Sequence, residues 1–207
     1  MKQFEKVRMP RPKQAAFNLS HERKFTMDFG KLTPILCEPI LPSDRWRVGF
    51  EALVRLQPML APIMHRVNVY VHWFNVPLRL IWEDSQKFMT GGVSGDDLVN
   101  LPCFTSEIHD APVNVNSLAD YLGISTGSFE GRISQLPFRA YQLIYNEYYR
   151  DQNLQEEIPI PKDSVDLPWD DGATSITDNL TTLRTRNWEK DYFTSALPWA
   201  QRGEPVR

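Results

Sequence analysis

Arg45 to Gln57 reads RWRVGFEALVRLQ, and its alternation is the strongest local pattern in the chain. Trp46, Val48, Phe50, Ala52, Val54 and Leu56 fall in one phase, with Arg45, Arg47, Glu51 and Arg55 in the other. A period of two places the first set on one face of a β-strand and predicts a half-buried strand. Solvent is the default environment of the charged face.

Signals on either side extend the β reading. Upstream, Phe25, Met27 and Phe29 alternate with Lys24, Thr26 and Asp28, predicting a short first strand closed by Gly30. Downstream, from Arg66 to Trp82, Val67, Val69, Val71 and Trp73 share one phase, and Val76, Leu78, Leu80 and Trp82 share the other. The shift near Phe74 and Asn75 predicts a β-bulge, and Pro77 cannot donate to a ladder. Long bent strands of this kind suit a barrel or a sandwich. The 16 prolines against 10 glycines also point to short elements with stiff connections.

Past Trp82 the pattern changes. GGVSGDD, Gly91 to Asp97, reads as a flexible turn. Ser117 is placed to cap LADYLG, with Asp120 at the third helical position and Gly123 as a stop. A longer helix is expected from about Leu136 to Asp151, with Ser134 as N-cap and Pro137 in its first turn. Tyr141, Ile144, Tyr145 and Tyr148 would share one face of it, as core or as a subunit contact. Asn153 to Asn187 has little periodicity and is expected to be a long surface loop. The residues alone thus give a mainly β chain with a helical insertion.

Composition bounds what such a chain does. At 207 residues and 42% hydrophobic it can bury a real core. No run approaches the ~18 apolar residues of a membrane helix, and Met1 to Arg8 is too charged to open a signal peptide, so a soluble protein is expected. Cys37 and Cys103 form neither a disulfide framework nor a metal spacing and are expected to be buried thiols. Met1 to Lys24 holds seven Lys or Arg against two Glu, a local +5, which leaves −8 on the rest of a chain whose net charge is −3. Lys2, Lys6, Arg8, Arg11 and Lys13 in this arm are candidates to contact nucleic-acid phosphates; a solvated arm is the plainer reading.

Reactive chemistry finds little support. His21, His65, His72 and His109 lack metal-site spacing, the glycines of 91–97 precede acids rather than a Lys-Ser pair, and GxSxG is absent. The acid pairs Glu83–Asp84, Glu156–Glu157 and Asp170–Asp171 read as solvated charge. No catalytic residue, cofactor or metal is expected.

Five blocks, in order, carry a resemblance: FNLSHERKFTMDFGKLTPI (17–35), EPILPSDRW (38–46), LQPMLAPIMHRVNVYVHWFNVPLRLIW (56–82), RAYQLIYNEYYRDQNL (139–154) and NWEKDYFTSALPWAQRG (187–203). Together they resemble the major capsid proteins of Microviridae, small icosahedral bacteriophages with single-stranded DNA; one departure is Pro42-Ser43-Asp44, where the family often has Pro-Gly-Asp. The resemblance implies part of an eight-stranded antiparallel jelly roll, incomplete in this chain because family members are much longer. It divides the chain into a basic arm (1–24), first roll strands (25–90), a helix- and loop-rich insertion (91–190) and an aromatic loop (191–207). It also implies a structural subunit that self-associates into an icosahedral shell around circular single-stranded DNA. Its partners would be further copies, other phage structural proteins and packaged DNA, with no membrane. Such a shell is a virion component assembled in the bacterial cytoplasm. Tyr141, Tyr145, Tyr148, Tyr192, Phe193 and Trp199 are the candidate subunit contacts. A glycan-binding β-sandwich is the alternative, since exposed Trp and Tyr stack on sugars.

Overall fold

The computed structural model describes residues 15–106, 112–169 and 175–196. Short helices α1 (Leu78–Ile81) and α2 (Ser85–Thr90) precede strand β1 (Cys103–Ser106), and α3 (Leu118–Tyr121) precedes β2 (Gly131–Ser134). Helix α4 (Leu136–Ile144) runs directly into a π-helical turn, Tyr145–Tyr149, and is followed by β3 (Leu167–Pro168) and α5 (Ser175–Thr181). The strands form a mixed sheet in the order β2-β1-β3, with β1 antiparallel to β2 (Phe104 opposite Ile133) and parallel to β3 (Phe104 opposite Leu167).

Phe104, at the centre of this sheet, is also the centre of the core. Its ring meets Phe138 at 5.2 Å and Trp169 at 5.4 Å, both nearly edge to face, the arrangement that aromatic quadrupoles favour. Val113, Leu118, Ala119 and Leu180 complete the buried cluster.

A second buried system is polar. Gln135, Arg139, Gln142 and Asn146 lie on one face along α4 and its flanks, and all four are buried. Each binds the backbone of an irregular segment. Gln135 Nε2 donates to the Cys103 and Val165 carbonyls, and Gln142 Nε2 to those of Leu180 and Thr182. Asn146 Nδ2 donates to the Ile158 carbonyl while its Oδ1 accepts from the Ile158 N–H. Arg139 donates to the Ile81 and Asp163 carbonyls and to Gln135 Oε1. Buried carbonyls outside regular ladders need donors, and this stripe supplies them.

Local signals predict several elements correctly. Ser117 caps α3, its Oγ accepting from Asp120 N at 3.3 Å, while Asp120 Oδ2 reaches back to Asn116 N at 2.8 Å, a near relative of the capping box. Gly123, the expected stop, lies two residues past α3 at φ 93°. Helix α2 is unexpected; Gly91 ends it at φ 74°, where a Cβ would lie 2.6 Å from the Gly95 carbonyl oxygen. Pro137 sits in the first turn of α4; the N-cap is Gln135, one residue after the expected Ser134, whose Oγ accepts instead from Leu136 N.

Other expectations are corrected. Residues 25–29, 45–57 and 66–77 make no strand ladder among the described residues, and most of their apolar side chains are exposed. Alternation specifies which face of a strand is apolar, not where its partner lies. Leu78–Ile81 is a helical turn instead of the second half of a bent strand, because the Pro77 carbonyl accepts from Leu80 N and the turn buries Ile81 and Trp82. Trp82 Nε1 then donates to Ser164 Oγ, which donates to Asp84 Oδ2. The long helix stays α-helical only to Ile144. The expected loop 153–187 contains β3 and α5 and contributes Trp169 and Leu180 to the core. Cys103 is buried as expected, whereas Cys37 is exposed.

The N-terminal segment is held by distant residues. Lys31 bridges Thr185, with Leu32 N donating to the Arg184 carbonyl and Arg186 N to that of Gly30. Tyr121 Oη donates to the Thr26 carbonyl at 2.7 Å, and the Phe25 and Tyr121 rings meet edge to face.

Candidate functional site

The π turn divides the tyrosines. An α-helix would align Tyr141, Tyr145 and Tyr148, but wider winding after Ile144 turns Tyr148 outward and leaves Tyr145 buried. Tyr141 Oη donates to the Leu32 carbonyl and accepts from Arg184 N, both at 2.9 Å. Tyr145 Oη donates to Gln155 Oε1 at 2.9 Å, and the Arg184 guanidinium lies over its ring. These two candidates serve the interior of the described chain.

Burial pushes the Tyr141 phenol up to about 12, against the opposing effect of Arg184. A folded pKa raised above the ordinary value of 10 contributes stability that is full below pH 10 and lost as pH climbs toward 12. Alkaline titration followed by circular dichroism should therefore show a stability loss in that window, reduced in Tyr141→Phe. The same variant should lose about 1–2 kcal/mol at neutral pH, since it leaves a part-buried carbonyl and a part-buried N–H without their partner. An unchanged alkaline transition would contradict this role.

Tyr148 is 69% exposed. Its ring lies 4.9 Å from Phe74, and Tyr149 stacks on His72 at 5.9 Å, with a hydrogen bond between its hydroxyl and His72 Nδ1. Desolvation raises the Tyr149 phenol, with Arg186 opposing, so it stays protonated and able to donate near neutral pH. The Arg186 guanidinium sits over Tyr70 at 5.4 Å, and Asn187 Nδ2 donates to the Tyr149 carbonyl. The segment expected as a bulged strand thus lays His72 and Phe74 against the π turn. The Phe74–Tyr148 pair forms a ridge with a groove on each side, one bounded by Arg186 to Lys190 and the other by Leu80, Leu143 and Ile158.

Tyr192 and Phe193 are 90% and 86% exposed and meet edge to face at 5.5 Å. A tight turn carries them. Asp191 Oδ1 accepts from Phe193 N and Thr194 N, both at 2.8 Å, and from Thr194 Oγ1 at 3.0 Å. Those donors, Thr194 foremost, hold the Asp191 carboxyl below its usual range.

Trp73 and Trp188 lie outside the candidate set, yet both are exposed; Trp73 lines both grooves and Trp188 the one bounded by Arg186 to Lys190. Their signal in the sequence was only their size, which elsewhere means core. Trp199, His109, Asp170, Asp171 and the arm residues Lys2, Lys6, Arg8, Arg11 and Lys13 lie outside the described residues. Among the described residues no group of three or more His, Cys, Asp or Glu is placed to hold a metal ion, and no helix is long and apolar enough to cross a membrane.

The described surface is one of exposed aromatic rings on ordered turns, a surface suited to contact with other molecules. Residues 5–207 match the model of the family described as "Capsid protein (F protein)", and the chain belongs to that family. Capsid protein VP1 of Chlamydia phage 1 is 36% identical over 98% of this chain and 36% of its own length. Capsid protein VP1 of Bdellovibrio phage phiMH2K is 35% identical over 93% of this chain and 34% of its own length. Capsid protein VP1 of Spiroplasma virus 4 is 30% identical over 98% and 37%. The chain therefore spans about a third of the length of these relatives.

Proposed function

We propose that this chain is a structural, non-enzymatic capsid subunit whose copies assemble, with other phage structural proteins, into a small icosahedral shell around circular single-stranded DNA. The observation that carries the reading is the family match over residues 5–207. Exposed Tyr148, Tyr192 and Phe193 support it, because aromatic rings are enriched where protein surfaces meet. Trp199 joins them as a proposed contact, while Tyr141 and Tyr145 act behind the surface by fixing the segments that bear it.

The same reading makes this chain part of an eight-stranded antiparallel jelly roll, and the exposed alternating apolar residues of 45–57 support it. The roll would be assembled in the host cytoplasm and retained in the virion. Electron microscopy of the gene product expressed with its phage partners should show small icosahedral particles; soluble monomers alone would overturn the reading.

The basic arm is the proposed contact with packaged DNA. Each phosphate neutralised on a single strand contributes about −0.7 to the slope of log affinity against log salt, so five engaged residues give about −3.5. Filter binding of an oligonucleotide should show that dependence and lose most of it when Lys2, Lys6, Arg8, Arg11 and Lys13 are all alanine. Salt-independent binding would contradict the contact.

A further inference from the structure

We propose that residues 78–187 are a self-supporting folding unit, clasped at its base by Tyr149, that keeps its structure while residues 15–66 change theirs.

The unit holds the whole described interior. Every buried residue among the described ones lies between Ile81 and Leu180, and the helices and strands all run between Leu78 and Thr181. The partly buried apolar residues packed on the core, Leu122 to Leu183, belong to the same interval. The stripe of Gln135, Arg139, Gln142 and Asn146 also finds its acceptors there, from the Ile81 carbonyl to that of Thr182. A stretch of chain with its own core and its own satisfied backbone is what a domain requires.

The segment before it contributes none of this. No residue of 15–77 is buried, and within 36–66 the hydrogen bonds are those that Leu41 and Asp44 make with each other. Residues 23–32 are tied to the unit through Asn116, Tyr121 and Tyr141, but those bonds sit at part-buried or exposed groups, where water can stand in for a departed partner. Segments 15–66 can therefore pair elsewhere without opening the core.

Tyr149 joins the incoming chain to the outgoing one. On the incoming side its hydroxyl is bonded to His72 Nδ1, its ring stacks on that imidazole, and Phe74 meets it edge to face at 6.1 Å. On the outgoing side its carbonyl accepts from Asn187 Nδ2 at 2.9 Å. That carbonyl is available because the π turn stops at Arg150, leaving its last carbonyls without helical donors. Asn187 Nδ2 also reaches Gln155 Oε1 at 3.2 Å, Lys190 pairs with Asp151 at 3.6 Å, and Arg186 lies over Tyr70. Residues 71–74 and 186–190 consequently line one groove, entry beside exit. Adjacent ends are the geometry that lets a folded unit be carried inside a longer chain without strain.

The test uses the full chain with a site-specific protease sequence in place of residues 57–63. Spin labels sit at Asn75→Cys and Glu189→Cys, and Cys37→Ser removes the other exposed thiol. Cutting should leave amide exchange at 118–122 and 136–146 as slow as before, and double electron–electron resonance should give a single narrow 75–189 distance before and after. Loss of that protection on cutting overturns the self-supporting unit. Tyr149→Phe and Asn187→Leu, which remove hydrogen bonds from opposite sides of the clasp, should each replace the narrow peak by a broad distribution while exchange at 118–142 stays slow. A peak that remains narrow in both variants, or core amides that speed up with it, overturns the clasp. Neither readout depends on particles forming, which decides the shell reading separately.

Discussion

Arg139→Met is expected to destabilise the chain by about 3–5 kcal/mol, since it leaves three acceptors without a donor at roughly 1–3 kcal/mol each. The Arg139 side chain is 0% exposed, and its guanidinium is the donor for Gln135 Oε1 at 2.7 Å, the Asp163 carbonyl at 2.9 Å and the Ile81 carbonyl at 3.2 Å. Methionine keeps most of the length and apolar packing, so the loss reports on carbonyls left without donors. Burial depresses the guanidinium's pKa and the Asp163 carboxylate, 3.6 Å away, opposes that shift. The group nevertheless stays protonated at any ordinary pH. Arg139→Lys should recover little, since a compact ammonium cannot span three acceptors that lie around a planar fork. Urea unfolding followed by circular dichroism measures both. A midpoint for the methionine variant equal to that of the parent would show that the fork is dispensable.

Phe104→Ala should cost a similar amount, about 3–5 kcal/mol, for a different reason. Phe104 is wholly buried, and its removal opens a cavity bounded by Phe138 and Trp169 while ending both edge-to-face contacts. Phe104→Leu keeps much of the volume and should cost under about 1.5 kcal/mol. At roughly 2–4 °C per kcal/mol for a chain of this size, calorimetry should place the alanine variant about 6–20 °C below the parent and the leucine variant within about 6 °C. Equal melting temperatures for the two would mean that the cavity collapses. Either large loss consumes much of the ~5–15 kcal/mol that a folded domain has in total.

What could be read from the sequence was what neighbours along the chain decide. The Ser117 cap, the Gly123 stop and Pro137 at the start of a helix each depend on a few adjacent residues, and each was legible. Pairing was not. The alternation of 45–57 names an apolar face but no partner, and the described residues provide it with no ladder. Leu78–Ile81 follows a strand-like pattern yet coils, because Trp82 reaches Ser164 and the Ile81 carbonyl faces Arg139, contacts made across tens of residues. The polar stripe Gln135, Arg139, Gln142 and Asn146 did carry a signal, long donors at helical spacing. Polar periodicity ordinarily marks the solvent side of a helix, and here it marks the buried one. Of the candidate surface, Tyr192 and Phe193 were evident as aromatic residues in a proline-bearing stretch, whereas the two grooves depend on a π turn that no local pattern announces.

The bridge between Lys31 and Thr185 also sets an order of events during synthesis. At ~5–20 residues per second, roughly 8–30 seconds separate emergence of the two ends of that pairing. For that interval residues 30–32 lack Arg184, Thr185 and Arg186, the groups that hold them. The exposed apolar side chains of 45–57 are already translated by then. A nascent chain in that state is a natural client for a chaperone, and slower translation of the later codons would lengthen its exposure.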